Sequence, residues 1–425
     1  MNRYMLVAAV ASAMLYPGTL AGQNVSGTPD NIVSVVVNGE SAEASDVEGA
    51  FKENEPDSHR DANLPRFAIV GKNREFYLGI GVQLLGEGVF DFAGEMSSPV
   101  LFIPSTTEAP SPGNGASLKF GWQTSSIHMN FVAMPESDNR IGVYFKGNFM
   151  GNNNSFNCYH FYARYRGLVV GYTNSLFTDG YAEPVTIDFE GPAGYPFITL
   201  FTAYWHQQFT KHVSGAIGVD APVTSFSEAT GAEEVNQRLP AIPLYVQYGS
   251  ESDDAHIRLS AIVRPLQYRN LIAGHNSTLV GGAVQLSGMT PVAGSLSANA
   301  NLVYGHGIAS YILDDYFLGL DACGTKEAGK MELVRTLGIT AGLNYAFTSR
   351  LQANIVYSHV ANMLGDNAVM DRTNYRYGDY VAANMFYNLN RFVSLGLEYD
   401  YGHRKSFAGE GLHVNRLQCQ FALSF

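Results

Sequence analysis

The chain of 425 residues ends on the stretch RLQCQFALSF, residues 416–425, in which apolar side chains alternate with polar or small ones. A repeat of two residues is that of a β-strand whose two faces meet different surroundings. The apolar face carries Leu417, Cys419, Phe421, Leu423 and Phe425. We expect such a strand to close a sheet by pairing with the first strand, which removes both sheet edges. The alternative is an edge strand of a soluble β-sandwich.

The same alternation recurs in about 16 segments from Phe76 to the end of the chain. Most are longer than the ~9–11 residues that a tilted strand needs to cross a bilayer. Their connections alternate between short turns, such as 348–350, and long loops, such as 94–116 and 179–196. Short turns on one rim and long loops on the other are typical of membrane barrels. The pattern predicts an all-β fold, a transmembrane antiparallel up-and-down β-barrel of about 16 strands, over residues 76–425.

The first 75 residues differ from the rest of the chain. Residues 1–22 are predicted to be a signal peptide, with Arg3 before an apolar run that is too short to span a membrane as a helix. Residues 23–75 are predicted to be a flexible N-terminal extension, because residues 41–63 are polar and acidic without a regular repeat, although residues 31–38, NIVSVVVN, form a short strand-like run. The alternative for this segment is a plug that folds into the barrel.

Composition and short motifs exclude several classes of function. The net charge of −12, without a basic cluster, argues against nucleic-acid partners. Catalytic and metal-binding motifs are missing from the sequence, so we expect no enzyme activity, no metal and no cofactor. Three widely spaced cysteines, Cys158, Cys323 and Cys419, are expected to be free thiols.

The faces of the strands can be assigned from the charges. A Lys or Arg side chain at the bilayer midplane costs about 2–4 kcal/mol on the lipid side, so the charged rows are expected to line the interior. With about 16 strands, a polar interior is too wide for side chains to fill and leaves an aqueous channel. Each basic residue of this wall has the alternative role of an interior salt bridge. The predicted basic wall consists of Lys119, Lys146, Arg164, Arg166, Arg258, Arg264 and Arg404.

One segment resembles a known family. Residues 165–179 read YRGLVVGYTNSLFTD, and residues 183–194 read EPVTIDFEGPAG. The run 186–192 in particular is similar to that of the DcaP-like trimeric outer-membrane porins, in the general bacterial porin superfamily. The resemblance implies a trimer whose third long loop folds inward and narrows the pore. The acids of this loop, which would form the constriction, are Asp179, Glu183, Asp188 and Glu190.

The C-terminal strand also resembles the assembly signal of bacterial outer-membrane proteins, with Phe421, Leu423 and Phe425 as its apolar positions. This implies a multi-pass barrel in the bacterial outer membrane after export. The implied partners are the barrel assembly machinery, membrane lipid and lipopolysaccharide, and two further copies in a homotrimer.

The function expected from these patterns is a water-filled channel for passive diffusion of small hydrophilic solutes, with a mild preference for anions. A dicarboxylate, a sugar or a phosphate would each fit as the natural solute. The alternative is a non-conducting surface barrel that acts as an adhesin or ligand-binding protein through long loops such as 94–116 and 313–330.

Overall fold

The computed structural model describes residues 32–37, 42–58, 64–65, 67–113, 115–250 and 254–425. The predicted signal peptide, residues 1–22, lies outside the described residues. The first barrel strand begins at Phe76, where the alternation begins in the sequence. Among the helices in the described part of the chain, none is long and apolar enough to cross a membrane.

The described chain forms a closed antiparallel barrel of 16 strands, which confirms the predicted fold class. Each strand pairs with its neighbours in the chain, in the up-and-down order. The strands are β1 (Phe76–Phe92), β2 (Ala116–Gly121 and Ser126–Ala133), β3 (Ile141–Asn148), β4 (Asn157–Tyr165), β5 (Leu168–Asn174), β6 (Thr199–Gln208), β7 (Val213–Asp220), β8 (Ile242–Gly249), β9 (His256–Asn270), β10 (His275–Ala293), β11 (Leu296–His306), β12 (Arg335–Ala346), β13 (Leu351–Met363), β14 (Tyr375–Asn388), β15 (Val393–Ser406) and β16 (Gly411–Ser424).

The barrel closes where β16 pairs with β1, as the C-terminal stretch predicted. The register runs from Ser424 opposite Gln83 to Asn415 opposite Phe92. Phe425 extends this seam by one residue, since its N–H donates to the carbonyl of Val82 at 2.9 Å. The closed ladder leaves no open sheet edge to face lipid.

Strand β2 is divided into two halves. Its two halves pair with the two halves of β1, and they are separated by a turn at residues 122–125. Between Gln83 and Glu87 the β1 strand has one residue fewer than β2 has between Gly121 and Ser126. The extra residue must leave the ladder, and this interrupts the strand.

The outer and inner faces differ as the charges predicted. On β9 the outward residues Ile257, Leu259 and Val263 are each about half exposed, which suits contact with lipid. The inward residues Arg258 and Ser260 are buried. The barrel is therefore apolar outside and polar within. Because its inward residues are buried, other parts of the chain must cover the inner face.

Four connections on the loop rim, the end of the barrel with the long loops, fold into the barrel and cover its inner face. We call them L1 (93–115), L3 (175–198), L4 (221–241) and L6 (307–334). Their apolar side chains pack against apolar residues of the wall and form one core. This core includes Phe102 of L1, Phe177 of L3, Tyr311, Ile312 and Leu320 of L6, and the wall residues Ile262, Val356 and Tyr380. Three short strands, Ala322–Thr325, Met331–Leu333 and Ala368–Val369, form a separate small sheet among the loops.

The N-terminal extension has secondary structure where we expected a flexible segment. Strand Ile32–Val37 pairs with Phe67–Gly71, which pairs with the start of β1. Helix α1 (Ala42–Lys52) lies against the inner face of the barrel near the turn rim, the end with the short turns. The buried residues Ala44, Val47, Ala50 and Phe51 recur at helical spacing, which is the signal that the sequence reading missed.

Deletion of Phe425 tests the closing seam. It removes the backbone hydrogen bonds that Phe425 makes with Val82, each contributing about 0.5–1.5 kcal/mol, together with the last apolar side chain of β16. We expect less assembled barrel in the membrane and a lower unfolding temperature, measured by heat-dependent gel mobility. Phe347→Ser, which removes an aromatic ring from the short turn between β12 and β13, is the control. Normal levels of the truncated chain would contradict a role for Phe425 in closure.

Candidate functional site

Loop L3 folds into the lumen, as the resemblance implied. It leaves β5 at Ser175, whose hydroxyl donates to Asp220 of β7 at 2.5 Å and accepts from the N–H of Phe177 at 3.1 Å. Arg258 of β9 then donates to the carbonyl of Leu176 at 3.1 Å. These contacts turn the chain from the wall into the lumen within three residues.

Asp179 anchors the first half of L3. Its carboxylate accepts from Ser287 of β10 at 2.5 Å and from the ring of His256 of β9 at 2.9 Å, and Arg258 lies 3.7 Å away. Burial alone would raise the pKa of Asp179, but the hydrogen bond from His256 and the charge of Arg258 outweigh it and lower this pKa to about 2. Asp179 therefore stays ionised and bound to the wall.

The tip of L3 is held by a carboxylate of the wall. Glu398 of β15 accepts the N–H groups of Ile187 at 2.9 Å and of Asp188 at 2.7 Å. It also accepts from the side chains of Asn384 and Gln418, both at 2.7 Å. A buried carboxylate with this many donors is stabilised in place, so Glu398 fixes how far L3 reaches around the wall.

Asp188 organises the tip from inside the loop. It accepts from the N–H of Gly191 at 3.0 Å and, on L1, from the N–H of Phe102 at 2.8 Å. Gly191 has a φ of +90°, which favours glycine and allows this tight turn. Burial, with the nearby charge of Glu398, raises the pKa of Asp188 to about 7. The two loops L1 and L3 are thus joined through one carboxyl group.

The second half of L3 returns along L6. The N–H of Gly194 donates to Ser358 of β13 at 2.8 Å. The N–H of Phe197 donates to the carbonyl of Tyr311 at 2.9 Å, and that of Leu313 donates to the carbonyl of Tyr195 at 3.2 Å. L6 therefore supports L3 from the loop rim, and the two loops pack as one layer.

The four predicted constriction acids occupy different environments. Asp179 and Asp188 are buried against the wall and the loops, so they anchor L3 and do not present charge to the lumen. Glu183 is also buried, and Glu190 is half-buried. The sequence reading placed these acids on the right loop but could not show which way each carboxylate points.

The predicted basic residues separate into three groups. Arg258 and Arg264 are buried and anchor loops: Arg264 binds Asp321 of L6 at 2.9 Å. Lys119 and Arg404 hold L1, since Lys119 lies 3.0 Å from Asp91 and also donates to the carbonyl of Met96, while Arg404 donates to Thr107 at 3.3 Å. For Lys119, Arg258 and Arg264 the interior salt bridge, which the sequence left open, is the arrangement observed, whereas Arg404 contacts a loop carbonyl.

The third group of basic residues lies on β3 and β4. Lys146 is buried beside the ring of Tyr159, which a bulge opposite Lys146 and Gly147 turns towards Phe189 of L3. Arg164 keeps about a quarter of its side chain exposed, and Arg166 is exposed at the turn to β5. Arg164 and Arg166 are therefore the predicted cations that solvent reaches near the turn rim.

The residues of L3 that face the open lumen were not predicted. Tyr181 and Val185 are the two side chains of residues 175–198 that are more than a third exposed. Both lack charge, and they carry no motif by which the sequence could distinguish them from the buried residues beside them. The two most exposed side chains of L3 are therefore neutral.

Comparison with known proteins supports the same architecture. Neither the protein-family models nor the curated proteins contain a match to this chain. Among solved structures, the outer-membrane channel DcaP of Acinetobacter baumannii is similar with a TM-score of 0.73 at 18% identity, over 83% of this chain and 99% of that chain.

Two further solved structures have lower similarity. OmpT, an outer-membrane protein of Vibrio cholerae, has a TM-score of 0.53 at 9% identity, over 83% of this chain and 99% of its own. The anion-selective porin from Comamonas acidovorans has a TM-score of 0.52 at 8% identity, over 83% of this chain and all of its own. The predicted resemblance is confirmed at the level of the fold, and the chain has the 16-stranded fold of the outer-membrane porins.

Proposed function

We propose that this protein is an outer-membrane porin that lets small hydrophilic solutes diffuse through its lumen. The observation that carries the proposal is a loop tied to the inner wall of a closed barrel by buried hydrogen bonds, at Asp179, Glu398 and Ser358. A fixed loop inside a polar lumen sets the size of the solute that passes. The DcaP channel shares this fold.

A mild anion preference is part of the proposal. Arg164 and Arg166 are solvent-accessible cations on one side of the lumen, whereas the L3 acids Asp179 and Asp188 are bound to the wall or to loops. Positive charge along an aqueous lumen lowers the barrier for anions and raises it for cations. The solute remains one of the three classes named above: a dicarboxylate, a sugar or a phosphate.

The proposed setting is a homotrimer in the outer membrane, in contact with lipid and lipopolysaccharide. The belt of exposed Ile, Leu and Val on the outside of the strands supports contact with lipid. One similar structure is a trimer form of Vibrio cholerae OmpT, with a TM-score of 0.52 at 9% identity, over 82% of this chain and 99% of its own. For folding, we propose that the barrel assembly machinery recognises Phe421, Leu423 and Phe425.

The positions of L1 and L6 favour the porin over the adhesin. Phe102 and Leu320, in the two loops that an adhesin was expected to use, are fully buried inside the barrel. Loops that pack inward leave less surface for a partner outside the cell. Planar-bilayer recordings test the choice: we expect ohmic channels, and the absence of conductance both in the folded chain and in a variant without residues 42–58 would overturn the porin proposal.

Glu398→Ala tests whether the anchored loop sets the pore size. The change removes the acceptor for the N–H groups of Ile187 and Asp188, so the tip of L3 loses its hold on β15. We expect a larger and noisier single-channel conductance. Glu410→Ala, in the loop of the same hairpin, is the control and should leave the recordings unchanged. Equal conductance in both variants would remove L3 from the constriction.

Arg164→Gln combined with Arg166→Gln tests the anion preference. The pair loses two cations near the turn rim, so we expect the ratio of anion to cation permeability to fall. The reversal potential in a salt gradient measures this ratio. Arg350→Gln with Arg391→Gln removes the same charge from two other turns and serves as the matched control. An unchanged reversal potential would show that Arg164 and Arg166 do not act in the filter.

A further inference from the structure

We propose that residues 42–58, which are helix α1 and the six residues after it, form a plug. This plug closes the lumen beside β1–β5 until it is displaced. The inference rests on the proposed channel function, since a plug matters only where solute would otherwise pass. It assigns to the N-terminal segment a role as the chain's own regulatory element, docked at a site built into the barrel wall.

The helix of the plug is seated by apolar packing. Val47 and Phe51 of α1 are buried against Tyr77 of β1 and Val132 of β2. The rings of Phe51 and Tyr77 meet edge-on, with centroids 6.5 Å apart. Both wall residues face the lumen, where water would otherwise cover them, so burial by the helix is favourable. This packing places α1 at a defined position on the wall.

Polar groups of the wall find their partners in the plug. Asn54 donates to the side-chain oxygen of Asn130 at 2.7 Å, and Asn130 donates to the carbonyl of Phe51 at 3.0 Å. Tyr162 of β4 donates to the carbonyl of Asn54 at 2.7 Å. All three side chains that make these bonds are buried. Because Asn130 both accepts from Asn54 and donates to the backbone of Phe51, it fixes the register of the plug on the wall as well as its position.

Asp46 of α1 lies 3.2 Å from Arg74, and two further ion pairs hold residues 53–58 of the plug. Glu53 pairs with Arg140 at the start of β3, and Asp57 lies 3.7 Å from Arg164 of β4. Arg164 also approaches the carbonyl of Glu55, with a nitrogen–oxygen distance of 3.4 Å. The plug thus presents carboxylates to the same cation, Arg164, that we propose to favour anions, and it neutralises this cation while docked.

The far end of the plug reaches L3. Ser58 forms a β-bridge with Gly180, next to the lumen-facing Tyr181. A Cβ atom on Gly180 would lie 2.5 Å from the carbonyl oxygen of Asp57 and 2.8 Å from the Cβ of Ser58, so only glycine fits there. The plug therefore crosses from the wall formed by β2–β4 to the loop that narrows the lumen, and it occupies the space between them.

Glycines in the wall leave room for the plug. A Cβ on Gly79 of β1 would lie 2.6 Å from Pro65 and 2.8 Å from Phe51, and one on Gly142 of β3 would overlap the side chain of Asn54. Contacts this short force one partner to move. The inner face of the barrel is thus shaped to accept Phe51, Asn54 and Pro65, which supports a built docking site over a chance contact.

The ion pairs of the plug are the weaker part of its attachment. Glu53 and Asp57 keep 61% and 51% of their side chains exposed, whereas the Asp179 carboxylate that anchors L3 has none exposed. Exposed ion pairs are weak and are screened by salt. A cavity of about 320 Å³ gives solvent access to these ion pairs, and its lining includes Glu53, Arg140 and Arg166. L3 is therefore the fixed constriction and the plug is the removable one.

A charge-swap experiment on the Glu53–Arg140 pair tests the plug. Single-channel recordings compare the full chain with Arg140→Glu, with Glu53→Arg, and with both changes together. Each single change places like charges opposite each other, so we expect a several-fold rise in the time-averaged conductance. The double change restores the pair in reverse, and the conductance should return towards that of the full chain. Arg350→Glu, in another short turn, controls for altered charge at the turn rim.

A steric variant tests the same docking site without a change of charge. Gly142→Val is expected to push Asn54 off the wall and raise the conductance several-fold, whereas Gly86→Val, at a glycine with open space around it, should not. Heat-dependent gel mobility confirms that each barrel has folded. If the Gly142→Val chain does not form a folded barrel, the charge-swap variants alone test the plug.

Removal of residues 42–58 separates the two proposals. If the shortened barrel conducts several times more than the full chain, both the porin and the plug are supported. Equal conductance in the full chain, the shortened chain and the single charge variants would overturn the plug and leave the porin standing. Folded barrels that conduct in none of these forms would overturn the porin.

Discussion

The pairing of the last strand with the first is the constraint on which the rest of the structure depends. A sheet in hydrocarbon cannot leave N–H and C=O groups unpaired, and the seam between β16 and β1 satisfies them from Asn415 to Ser424. Arg416 adds a buried ion pair to this seam, with its Nε 2.6 Å from Asp91. The same guanidinium donates to the carbonyls of Ser98 and Leu101, so closure of the barrel and entry of L1 share one residue.

Inside the barrel, buried charges do most of the positioning of loops. Asp179 joins L3 to several groups of the wall, whereas Glu398 and Arg264 of the wall each bind several groups of the loops. Burying a charge is costly unless its hydrogen bonds are complete, so an incomplete arrangement of these loops is unstable. This requirement makes the position of L3 well defined, and a well-defined loop is what a size-selective constriction needs.

The plug and L3 divide the control of the lumen between them. L3 is attached through fully buried groups, whereas the plug adds exposed ion pairs at Glu53 and Asp57 to its apolar contact and its buried hydrogen bonds. The two attachments differ in their sensitivity to salt, since screening acts mainly on exposed charges. A channel with one fixed and one removable constriction can keep its solute size limit while its average permeability changes.

The sequence by itself determined the strand pattern, the two rims, the inward and outward faces and the site of closure. These follow from a repeat of two residues and from local turns, so no distant contact is needed to read them. Only the tertiary structure decided which inward charges remain open to solvent. Arg164 and Arg258 look alike in the alternation, yet one is partly exposed near the turn rim and the other is buried against Asp179. Their difference depends on contacts such as that between Arg258 and Leu176 of L3, which lie 82 positions apart in the chain. The docking of α1 was decided in the same way, because the wall glycines that accept it are distant in sequence and meet it only in the folded barrel.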